Sequence, residues 1–241
     1  MSLQRPGFKP NVQRNKKVSR ANDVFFSIAP ETTARLRFMP PADESGLLFA
    51  LTVNHFKLQD AEGRPIAVAC ANQHGEGNCP VCAAVTWLYQ NGNKDEKKIG
   101  SELRASARYN AQVLVAERVG DGWEYEGPRM VAFSKTVHDN IIQILENQEM
   151  VGDPDFTDPD EGQDLLISRK GSGLNTEYTV DRSGKKMALD TAFPAWTEKF
   201  WTDLYKVLGL RILSHNEMIE VLQSTYAKQL DFDAMRADGV F

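Results

Sequence analysis

From Ala34 to Met39 the chain alternates apolar and basic side chains, the period of a strand with one face in a core. Pro40 and Pro41 end that strand. Leu47–Asn54 predicts a second strand, and a turn over Asp60–Pro65 leads to a third at Ile66–Cys70. Pro80–Gln90 predicts a short helix with proline in its first turn. Asn91–Lys98 is polar and charged and reads as a mobile loop carrying Lys94, Lys97 and Lys98. Two strands, Ala111–Val119 and Trp123–Phe133, meet across Gly120-Asp121-Gly122, a hairpin signal. Lys135–Glu146 spaces Val137, Ile141, Ile142, Ile144 and Leu145 as an amphipathic helix does. Leu165–Lys170 and Glu177–Asp181 form a further hairpin over Gly171-Ser172-Gly173. Beyond Phe193 the spacing of Trp196, Phe200, Leu204 and Val207 is helical, and another helix runs over Glu217–Leu230. Trp87, Trp196 and Trp201 fall on helix faces and are expected to pack.

A β-rich middle with interposed helices and a helical end predicts an α+β chain. Five or six short strands suit a small Greek-key barrel of the OB-fold type. The composition is that of a globular protein: 41% hydrophobic and 25% charged residues among 241. No apolar run is long enough to span a membrane and the N-terminus lacks a secretory core, so a cytoplasmic location is expected. The net charge of −5 argues against a nucleic-acid binder until its distribution is considered. Residues 1–20 carry Arg5, Lys9, Arg14, Lys16, Lys17 and Arg20 and no acid. Residues 149–164 carry seven acids and no base. A basic surface can therefore coexist with the acidic total, and residues 1–25 read as a flexible basic arm.

The cysteines are three, an odd number, and two stand as Cys79-Pro80-Val81-Cys82. In a reducing compartment that pattern favours metal over disulfides. Cys70 is the third sulfur. The fourth ligand is His74 by proximity, or His55 by pairing. A hairpin turning on Glu62-Gly63 pairs residues whose numbers sum to 125, which would set His55 directly opposite Cys70. Four protein ligands of this chemistry make a closed, structural zinc site. A redox Cys-x-x-Cys beside a buried free Cys70 is the rival reading.

Basic and aromatic residues, the combination that holds single strands, cluster at several strand ends. Arg35 and Arg37 alternate along the first strand. Arg104, Arg108 and Tyr109 precede the Ala111 strand, and Arg129, Phe133 and Lys135 close the next. Arg169, Lys170 and Tyr178 flank the last hairpin. No Ser/His/Asp set or phosphate loop is present, so no catalysis is expected.

These residues resemble a known family. Ala34-Arg35-Leu36-Arg37-Phe38-Met39-Pro40, Val53-Asn54-His55, Cys70-Ala71-Asn72-Gln73-His74-Gly75 and Cys79-Pro80-Val81-Cys82 stand in the order found in the single-stranded DNA-binding (helix-destabilising) proteins of T-even-type phages. The run Tyr109–Val115 and Val131-Ala132-Phe133-Ser134-Lys135 are also similar, and the likeness extends over about residues 25–230. The resemblance implies an OB-fold core with a zinc subdomain and a DNA cleft between them. It implies His55 as the fourth zinc ligand, and Arg108, Tyr109, Phe133, Lys135 and Tyr178 along the cleft. It further implies a basic arm that joins neighbouring copies on DNA, and replication and recombination proteins as partners. Two departures stand out. Residues 230–241 are not the long acidic tail of that family, and Asn110 stands where a large aromatic is found.

The expectation is an arm at 1–25, an OB-fold-like barrel at 26–190 with the zinc subdomain inserted at about 50–92, helices at 191–229 and a short tail at 230–241. Its function would be to coat and protect single-stranded DNA in phage replication, recombination and repair. A zinc-stabilised protein-interaction module, using the acidic 153–164 segment, is the non-DNA alternative.

Overall fold

The computed structural model describes residues 24–41, 46–75 and 77–241. The basic arm lies outside them. The described strands are β1 (Phe25–Phe26), β2 (Thr32–Phe38), β3 (Ala50–Gln59), β4 (Pro65–Ala69), β5 (Ser106–Val119), β6 (Gly122–Phe133), β7 (Gln163–Lys170) and β8 (Glu177–Lys186). The helices are α1 (Ala71–His74), α2 (Pro80–Asn91), α3 (Lys94–Leu103), α4 (Lys135–Val151), α5 (Leu189–Ala192), α6 (Trp196–Lys199), α7 (Leu204–Leu208), α8 (His215–Tyr226) and α9 (Phe232–Ala237).

All eight strands share one sheet, ordered β1-β6-β5-β2-β7-β8, with β3 and β4 branching from β5. The branch exists because β5 is long. Its residues 106–110 pair with β3, and its residues 113–116 pair with β2 along the same edge. The other edge carries β6. No ladder joins β8 back to β1 among the described residues, so the expected closed barrel is an open, branched sheet. The α+β class holds.

Two main cores follow from the branch. Leu36, Phe38, Val113, Phe133, Val137, Ile141 and Phe156 pack the sheet against α4. Leu58, Val68, Val81, Leu88 and Leu103 pack β3, β4, α2 and α3 together, and Met218, Leu222 and Met235 of α8 and α9 close over them. The C-terminal helices thus belong to the second core. Residues 232–237, expected in a tail, are the helix α9, and Asp238 beyond it accepts a hydrogen bond from Trp87 Nε1 at 2.8 Å.

Residues 94–103 are helical, not a loop. Asn93 caps the first turn and Glu96 returns a bond to the Asn93 amide. The helix expected after Phe193 is broken into two short pieces, α6 and α7. Pro194 precedes one of them, and Gly209 ends another in a left-handed conformation at φ 56°.

Arg35 and Arg37 do not form a solvent face. β2 lies between β5 and β7. Arg37 is fully buried, and its Nη2 donates to the Asp158 carbonyl at 2.8 Å. Gly162 leaves the room it needs, since a Cβ there would stand 2.6 Å from that nitrogen. Burial pulls the Arg37 pKa down, while Asp164, Tyr125 and Asp158 push it back up. Arg35 donates to buried Asp164, which also accepts from the Tyr125 hydroxyl at 2.6 Å, and its guanidinium lies over Trp123. Both arginines, expected as DNA contacts, are engaged within the fold on a strand paired along both edges.

Removing the Asp164 carboxylate would strand two buried or half-buried cations. Asp164→Ala is expected to lower unfolding free energy by about 3 kcal/mol, and Tyr125→Phe by about 1 kcal/mol. Urea unfolding of the three proteins measures both.

Candidate metal centre and nucleic-acid groove

The second core carries the cysteines. Cys70 directly follows β4 at the N-cap position of α1, while Cys79 holds the N-cap position of α2 and Cys82 lies in its first turn. Pro80 at the first helical position fixes that turn, so both sulfurs point the same way. His55 comes from β3 and is fully buried. The four ligand atoms all lie within 4.8 Å of one another.

The hairpin register differs from the expected one. Asn54 pairs with Ala69 and His55 with Val68, sums of 123 rather than 125, and a bulge separates His55 from Leu58. A shift of two preserves the face of every side chain. His55 therefore sits diagonal to Cys70 on the same face, close enough to share an ion. His74 takes another role, since its Nε2 accepts the Val53 amide at 2.8 Å. The choice between the histidines falls to His55.

The distances fit tetrahedral coordination. His55 Nε2 is 3.3 Å from Cys79 Sγ and 3.7 Å from Cys82 Sγ, and Cys70 and Cys82 sulfurs are 3.5 Å apart. Metal–sulfur bonds of about 2.3 Å and metal–nitrogen bonds of about 2.0 Å give tetrahedral edges of roughly 3.5–3.8 Å. His55 Nδ1 lies 2.7 Å from the Leu103 carbonyl, which can only accept. The proton must be on Nδ1, leaving the Nε2 lone pair directed at the sulfurs.

The charges agree. A hydrogen bond from Cys82 brings Cys79 down to about 3 against the opposing effect of burial. The bond to Cys79 and burial push Cys82 up, and burial with the Cys79 charge raises Cys70. One sulfur is readily anionic and its neighbours resist joining it. Three thiolates at this spacing need a dication between them. With three sulfurs and one imidazole supplied, no position is left open, which is the pattern of a structural centre.

The first core carries the groove. A cavity of about 740 Å³ runs beside β1, the end of β6, the start of α4 and the β7–β8 tip. Arg108, Phe133, Arg169 and Tyr178, four of the residues singled out from the sequence, line it together. The ladders explain the meeting: Arg169 faces Tyr178 across β7–β8, and Tyr109 faces Phe133 across β5–β6. Phe133 is mostly core, stacked on Phe38 at 5.9 Å, and offers only the groove floor. Tyr109 adjoins it and lies flat on His138 at 3.9 Å. Arg169 Nη1 donates to the Ile28 carbonyl at 2.8 Å, while its Nε is buried without a partner.

The remaining candidates lie elsewhere or at the rim. Lys170 is exposed beside Arg169. Lys135, between groove residues Ser134 and Thr136, pairs with Asp139 at 2.6 Å. Arg104 is exposed at the end of α3, and Arg129 pairs with Glu126 at 3.6 Å. Lys94, Lys97 and Lys98 are exposed on α3. The sequence reading missed Phe26 and Ile28, which line one wall, and His138, which backs Tyr109. Alternation over 25–28 is too short to register as a strand.

His55→Ala is expected to abolish stoichiometric metal binding, whereas His74→Ala retains one ion per chain. Metal analysis of the two purified variants separates these ligands.

Residues 31–224 match a family model described as gp32 DNA binding protein like. No curated protein matches the chain. Spanning most of the sequence, including the candidate metal ligands and most of the groove, that match identifies this chain as a member of the gp32-like DNA-binding protein family.

Proposed function

We propose that this chain coats single-stranded DNA, holding it in the groove lined by Arg108, Arg169, Phe133 and Tyr178, as a phage protein of replication, recombination and repair. The carrying observation is that one cavity gathers cations from β5 and β7 and aromatic faces from β6 and β8, within a DNA-binding family. Arginines neutralise phosphates, and aromatic rings accept bases of any sequence. The role is binding without a catalytic step. It would be exercised in the host cytoplasm, and no described helix is long and apolar enough to cross a membrane.

The ion at His55, Cys70, Cys79 and Cys82 is proposed to be one structural zinc, which the sulfur-rich donor set favours. It would fasten β3 and β4 to α2 at one side of the groove. The basic arm is proposed to join neighbouring copies on the strand, and replication and recombination proteins are proposed partners.

Two observations weigh against the other readings. Five of the six acids from Asp153 to Asp164 are engaged within the fold: Asp153 with Arg182 and Lys186, Asp155 with Thr157, Asp158 with two amides, Glu161 with Lys186 and Asp164 with Arg35. That leaves a poor docking face. A thiol oxidoreductase needs an accessible thiolate, whereas Cys79 is buried against His55.

Fluorescence titration with oligo-dT is expected to show tight binding, weaker for duplex DNA of equal length. With Arg108, Arg169 and Lys170 each meeting a phosphate, log K should fall against log salt with a slope of about −2. Equal affinity for duplex would overturn the reading. Chelation of the metal is expected to lower the melting temperature measured by calorimetry, and an unchanged value would refute a structural ion.

A further inference from the structure

Phe56 is out of character for its strand. It is 38% exposed, directly follows buried His55, and lies within the bulged stretch of the β3–β4 ladder between His55 and Leu58. Its ring is not bare. The Arg108 guanidinium lies over it, 5.4 Å from the centroid. Arg108 comes from β5, opposite Thr52 of β3, and its other side lines the groove.

The guanidinium is fixed in three ways. Its Nη1 donates to Ser106 Oγ at 3.0 Å and to the Ala107 carbonyl at 3.1 Å, and one face rests on Phe56. Among the described residues, Nε and Nη2 carry no hydrogen bond. Those two nitrogens form the edge that grips two oxygens of one phosphate side by side. A free arginine must give up many rotamers to present that edge, whereas a preset one gives up few.

We propose that Phe56 and Arg108 together form a phosphodiester clamp at the metal-centre end of the groove, with Arg108 the contact and Phe56 the positioning residue. The clamp rests on the reading of the groove as a single-strand site. Phe56 touches no nucleic acid in this scheme. It holds the plane of the guanidinium so that the Nε–Nη2 edge faces the strand. The neighbouring His55 makes the placement firm, because a metal ligand cannot drift along β3.

The test is a double-mutant cycle on the metal-loaded, full-length chain, read by oligo-dT titration over a series of salt concentrations. Arg108→Ala is expected to weaken binding and flatten the salt slope by about 0.7, the share of one phosphate. Phe56→Leu keeps the charge and the apolar bulk, so it should weaken binding about two- to fivefold with the slope unchanged. Phe56→Tyr should restore wild-type affinity. In the Arg108→Ala background, Phe56→Leu should have no further effect. Melting temperature and metal content report whether the variants fold, and Phe56 is exposed enough for both to hold. Equal affinity of Phe56→Leu and wild type would overturn the clamp while leaving the groove as the DNA site. A loss that persists without Arg108 would also overturn it. Wild-type protein with no affinity for oligo-dT would overturn clamp and groove together.

Discussion

Strand β5 has two different neighbours along one edge, and the molecule is organised by that sharing. Its first residues pair with β3 and its later ones with β2, while β6 follows it along the other edge. A strand pairing with one partner only would give a single flat layer with one core. Here the sheet splits, and each branch collects its own apolar cluster. Arg108 and Tyr109 sit in the segment where β3 pairs, next to Ala111 and Val113 of the sheet core. Residues there can face the groove while their neighbours are anchored in both layers.

His55, Cys70, Cys79 and Cys82 gather at the heart of the β3 branch, where one proposed ion would make it rigid. A short hairpin and three helices would bury little on their own, and small clusters of this kind commonly depend on a metal. His55 ties the two ends of the branch together. Its Nε2 faces the sulfurs from α2 and β4, and its Nδ1 holds the Leu103 carbonyl three residues before β5 begins. Helices α8 and α9 then cover the cluster from the far end of the chain. The centre therefore sets where β5 starts and, through it, where Arg108 stands.

Much of this was legible from the residues. Alternation found the strands around Leu36, Val113 and Ile167, and Cys-x-x-Cys with Cys70 marked the ligands. The register error did no harm because a slip of two keeps each side chain on its face. Three things were hidden. Helix α3 is so rich in Lys, Asp and Glu that its charge masked it, though Asn93 and Glu96 carry the spacing of a capping box. The burial of Arg37 depends on Asp158 and Asp164, distant in sequence, so local alternation could only suggest a surface. The open sheet was not legible at all, because closure depends on which edges meet and not on the period of any strand.

DNA binding by this chain is proposed to place a single strand in the groove between the β6–α4 junction and the β7–β8 tip. Hydrogen exchange on the metal-loaded protein, with and without oligo-dT, tests it most directly. Slowed exchange on DNA binding is expected in residues 106–109, 131–138 and 169–179, with little change in α8 and α9. Protection confined to the acidic 153–164 segment, or to α8 and α9, would contradict it.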